Sequence, residues 1–96
     1  MKLVRLSSGE EIIGKVVDNG SDVTITDGYS LIPAGEGKIG FMPFMAYTKA
    51  KEGITIPKSF IVFTVDPIDE LVDQVRQMDT GLVAPKNKII TWVLTG

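Results

Sequence analysis

The stretch Leu6–Asp27, LSSGEEIIGKVVDNGSDVTITD, decides how the rest of the chain is read. Two turn signals divide it. The first is Ser7-Ser8-Gly9-Glu10, where Gly9 supplies the positive φ of a tight hairpin; the second is Asn19-Gly20, a strong short-range hairpin signal. Between them Glu11–Asp18 has the composition of a strand, with Ile12, Gly14 and Val16 on one face and Ile13, Lys15 and Val17 on the other. Beyond Asn19-Gly20, Asp22–Asp27 alternates, placing Val23 and Ile25 inward and Thr24 and Thr26 outward. Upstream, Lys2–Leu6 forms a first strand. The three strands make a meander, and the glycine in the middle of the second one needs a reason, because glycine weakens a strand. A small barrel gives it one: there a strand bends sharply from one layer to the other, and a glycine allows the bend and a close backbone approach. A bulge in a flat sheet is the alternative.

Outward from this core the chain is less regular. Gly28–Gly37, with Pro33, Gly35 and Gly37, reads as a loop or frayed hairpin. Lys38–Tyr47 is rich in large apolar residues but broken by Pro43, which argues for an edge or interrupted strand. Thr48–Gly53 is a polar turn. Ser59–Val65, SFIVFTV, is apolar on both faces and predicts a strand covered on both sides. Left at an open edge it would be an aggregation site, so a second subunit is its natural cover. Asp66 then suits a helix N-cap and Pro67 the first helical position, with Asp69 and Glu70 complementing the dipole. Ile68, Leu71, Val72, Val75 and Met78 follow helical spacing, and Gly81 supplies the stop. Ile89–Leu94 predicts a last strand.

The 96 residues bound a single domain, divided into a core over 1–66, a helix over 67–80 and a C-terminal strand segment over 81–96. A chain of this size buries a limited fraction of its surface, and oligomerisation is one remedy. There are no cysteines and no histidines. Disulfides, ordinary zinc or iron sites and the Ser–His–Asp and Cys–His nucleophile sets are therefore excluded, and neither catalysis nor a cofactor is expected. Ten Lys and Arg against twelve Asp and Glu give a net charge of −2, so bulk electrostatic binding of nucleic acid is not expected. No apolar run approaches the roughly 20 residues of a membrane span, and no targeting segment is evident, which points to the cytoplasm.

Two stretches resemble a known family. Val4-x-Leu6-x-x-Gly9-x-x-x-x-Gly14-x-Val16, followed by a turn and an alternating strand, resembles the first signature motif of Sm and Sm-like (LSm) proteins. Ile56-Pro57-Lys58-Ser59-Phe60-Ile61-Val62-Phe63 is similar to the second motif as the bacterial member Hfq writes it. The closest resemblance is to the Sm-like proteins of phages of cyanobacteria, in which a strand running into Asp-Pro, a helix with a leucine-valine pair and a later glycine also look similar. The resemblance implies a mainly β fold: a strongly bent five-stranded antiparallel barrel, here with one late α-helix. It also implies a homo-oligomeric ring of roughly five to seven subunits built by edge-strand pairing, whose number no motif encodes. Such rings bind single-stranded RNA near the pore, here in the host cytoplasm if the chain is phage-encoded.

The family pattern directs attention to particular residues. Asn19, Asp22 and Thr24 would form a base-recognition loop, with Thr24 standing where the family has asparagine and Asp22 where a base-stacking side chain often sits. Ordinary hairpin chemistry is the competing account of that loop. Lys58 would contact phosphate and Ser59 a base edge; alternatively Lys58 shields a strand edge. Phe60, Ile61, Val62 and Phe63 are the candidate subunit interface. Phe41, Met42, Phe44 and Met45 read first as core or intersubunit packing, and otherwise as a docking patch for a protein partner. The helix stripe reads as packing on its own barrel, and Asp69 and Asp73 as a solvated face. An RNA-binding ring is thus set against a scaffolding ring that has lost RNA binding.

Overall fold

The computed structural model describes residues 1–79 and 90–93. Its strands are β1 (Lys2–Leu6), β2 (Glu11–Asp18), β3 (Asp22–Pro33), β4 (Lys38–Pro43), β5 (Ile54–Pro57), β6 (Ile61–Val65) and β7 (Ile90–Val93), with one helix, α1 (Asp69–Asp79). All pairings are antiparallel, in the order β6-β1-β2-β3-β4-β7, and β5 pairs with β3 beside β4. The fold is mainly β, antiparallel and strongly bent, with one late helix, as expected. Among the described residues the sheet has seven strand segments, two more than the five of the expected barrel. The expected Lys38–Tyr47 strand is interrupted as Pro43 suggested, ending there as β4, and a short additional strand, β5, follows the 3-10 turn at Lys49–Glu52. β7 adds a further strand to the other edge of β4.

Gly14 sits at the bend. The β2–β3 register shifts between Ile13 and Lys15, and a Cβ on Gly14 would lie 3.0 Å from the Cα of Gly28 and 3.1 Å from the carbonyl oxygen of Thr26. Bulge and bend therefore coincide, in a sheet that is not flat. The Gly28–Gly37 stretch is corrected: β3 runs through Gly28 to Pro33, and only residues 34–37 turn. Gly28 continues the strand because it is the other half of the close approach to Gly14.

Each face of the bent sheet carries its own apolar cluster. Val4, Ile12, Val23, Ile25 and Ile56 fill the inner one. Ile13, Tyr29 and Phe41 form the outer one, which Leu71, Val75 and Met78 of α1 cover. The adjacent Ile12 and Ile13 are both fully buried because strand alternation sends them into different clusters. Phe41 is buried and Phe44 packs against the inner cluster, so packing accounts for these two, while Met42 is half-buried and Met45 exposed. Of the helix stripe, Leu71, Val75 and Met78 pack on the sheet, whereas Ile68 stays exposed. The start of α1 differs from expectation: the carbonyl of Ile68 accepts from the amides of Leu71 and Val72, and the Asp66 carboxylate pairs with the Lys2 ammonium instead of capping. Gly81 and residues 82–89 and 94–96 lie outside the described residues.

SFIVFTV is also corrected. Lys58–Phe60 form a 3-10 turn, and β6 begins at Ile61. Ile61 packs toward the inner cluster, whereas Phe60, Val62, Phe63 and Val65 are exposed on the single chain. Among the described residues β6 is hydrogen-bonded to β1 alone and β5 to β3 alone.

Candidate nucleic-acid interface

Strand register carries two distant segments to one rim. β5 pairs with the first half of β3, setting Thr55 opposite Thr24 and Pro57 opposite Asp22. Lys58 and Ser59, which follow Pro57 at once, therefore land on the β2–β3 turn. The Lys58 amide donates to the carbonyl of Ser21 at 3.1 Å, fastening the 3-10 turn to that loop.

The turn is internally bonded. Gly20, at a φ of 103°, donates its amide to Oδ1 of Asp18 at 2.8 Å. Asn19 donates its side-chain amide to Oδ1 of Asp22 and to Oγ1 of Thr24, each at 2.9 Å. The hydroxyls of Thr24 and Thr55 lie 3.0 Å apart. The two readings of this loop are thus not exclusive: hairpin chemistry holds it, and that chemistry orders a row of amide and hydroxyl groups along the rim. A pre-ordered polar row costs a ligand little entropy to engage.

Charge at the rim is balanced locally. The Lys58 ammonium lies 2.9 Å from Oδ1 of Asp18. The hydrogen bond from Lys58, aided by the Gly20 amide, holds the Asp18 carboxyl below the usual aspartate range. The ammonium of Lys58 is thus paired with Asp18, while the Asp22 carboxylate of the same turn accepts from Asn19. Beside them an open groove of about 380 Å³ has Val16, Val23 and Ile61 among its apolar walls and Lys2, Asp18 and Lys58 among its charged ones.

Asn19, Asp22, Thr24 and Lys58 are brought together, with Ser59 exposed next to Lys58. Two members of the cluster escaped sequence reasoning. Asp18 looks like simple turn chemistry until its partner across the sheet is known. Thr55 shows only as the polar position between Ile54 and Ile56. No protein-family model matches the sequence, and no curated protein matches it.

Proposed function

We propose that this chain is a non-catalytic subunit of an Sm-like ring that binds single-stranded RNA, acting in RNA metabolism or regulation in the cytoplasm of a phage-infected cell. One observation carries the reading: the β2–β3 turn and the Lys58–Ser59 turn, the two segments that carry the resemblance, meet at one rim as an ordered polar row. The open edges support the ring. β5 and β6 each lack a partner on one side among the described residues, and Phe60, Val62 and Phe63 are apolar and exposed next to them. Pairing β6 of one subunit with β5 of the next would cover both edges and repeat the rim around a pore. Each site offers few contacts, so affinity would come from several identical sites engaging one strand.

A second reading, a ring that scaffolds another protein, has a specific observation in its favour: the carboxylates of Asp18 and Asp22 oppose phosphate at the rim. Its apolar docking surface would be Phe60–Val65 rather than Phe41–Met45. Titration of a short fluorescent U-rich or A-rich RNA separates the two. The RNA reading expects salt-sensitive binding that Lys58→Ala weakens, while the scaffold reading expects none at any salt concentration.

A further inference from the structure

We propose that Asp18 is an electrostatic latch on Lys58, so that RNA phosphate reaches the ammonium only by displacing the Asp18 carboxylate; this rests on the RNA-binding reading above. The Lys58 ammonium sits 2.9 Å from Oδ1 of Asp18, the same oxygen that accepts the Gly20 amide at 2.8 Å. Asp18 is thereby anchored by the turn itself and does not depend on Lys58 for its position. Lys58 is in turn anchored at its backbone by the bond to Ser21. The carboxylate and the lysine backbone are both held, so the ammonium, on an exposed side chain, has the carboxylate within reach as its resting partner.

Specificity follows from this arrangement. A strand that presents only phosphates gains little, because each phosphate captured by Lys58 releases a carboxylate that then repels the backbone, with Asp22 adding a second. A strand whose bases also bond the Asn19–Thr24–Thr55 row compensates for the displacement. The latch thus suppresses binding by charge alone and favours unpaired RNA with accessible base edges. Asp18 acts as a positioning residue, through Lys58, and needs no contact with the RNA.

Asp18→Asn isolates this role. Its amide oxygen still accepts from Gly20, so the turn is kept while the charge is removed. Binding of short single-stranded RNA is measured by fluorescence anisotropy across a salt series for the wild type, D18N, K58Q and the double variant. The latch predicts tighter binding by D18N at low salt and a log–log salt slope steeper by about 0.7 per engaged subunit. With three subunits engaged, the advantage of D18N shrinks roughly 10–20-fold between 50 and 200 mM salt. In the K58Q background the D18N gain shrinks to what relief of carboxylate–phosphate repulsion alone supplies.

Wild-type binding that D18N leaves unchanged overturns the latch and spares the RNA reading. A gain as large in K58Q as in the Lys58 background also overturns it, because a general charge effect then explains the result. Absence of binding by every variant, D18N included, overturns both.

Discussion

Gly14→Ala tests the bend that organises the sheet. The added Cβ would sit 3.0 Å from the Cα of Gly28, 3.1 Å from the Thr26 carbonyl oxygen and 3.2 Å from Cγ2 of Ile25. The two nearest atoms are backbone, which cannot rotate away, so β2 and β3 must part or the bend must open. Overpacking of this kind costs about 1–3 kcal/mol. Alanine also stiffens the unfolded chain, returning about 0.4–1 kcal/mol. The balance is a loss of about 1–2 kcal/mol, which for a chain of this size lowers Tm by about 5–15 °C. Gly28→Ala is the internal control. Its Cβ would meet Cγ2 of Ile12 at 3.0 Å and Cγ2 of Ile25 at 3.2 Å, atoms of buried β-branched side chains that give with difficulty but still more readily than backbone. Urea unfolding followed by Trp fluorescence or circular dichroism should therefore rank Gly14→Ala as the costlier change. Equal stability of wild type and Gly14→Ala, or a greater loss for Gly28→Ala, would refute this account of the bend.

Three further outcomes follow from the packing. Leu71→Ala removes a buried anchor of α1, a helix of 11 residues that is too short to persist undocked, and should cost about 2–4 kcal/mol in urea unfolding. Asp79 accepts from the Tyr29 hydroxyl at 3.1 Å, and burial holds its carboxyl above the usual range. A raised folded-state value means that the folded form holds the proton more tightly, so this group's contribution to stability falls as pH rises from the unfolded value through the folded one. Asp79→Asn should therefore gain stability relative to wild type as pH is raised through and above the ordinary aspartate range, a modest trend given the exposure of the group. Val62→Asp, at an exposed position of β6, should leave single-chain stability within about 0.5 kcal/mol while dispersing any oligomer in light scattering.

The legible part of the fold was the part written in local chemistry. Gly9, Asn19-Gly20 and the Val23/Ile25 alternation fixed the β1–β3 meander, and the helical spacing of Leu71, Val75 and Met78 fixed which face of α1 is buried. What escaped depended on distant partners. Gly28 and Pro33 look like strand breakers, but Gly28 lies within β3 because Gly14 approaches it across the bend. Asp66 has the residue type of a cap, yet Lys2, from the opposite end of the described chain, takes its carboxylate. At the rim, motif resemblance picked out Asn19, Asp22, Thr24 and Lys58. The roles of Asp18 and Thr55 arise from the β3–β5 register, which no local pattern states.

The central claim is a closed ring that carries RNA, and a native mass spectrum of the purified protein mixed with short U-rich and A-rich RNA tests it most directly. A single closed oligomer of roughly five to seven copies that retains RNA is the predicted result. A monomer at micromolar concentration, bare of RNA, would contradict both the assembly and the function built on it.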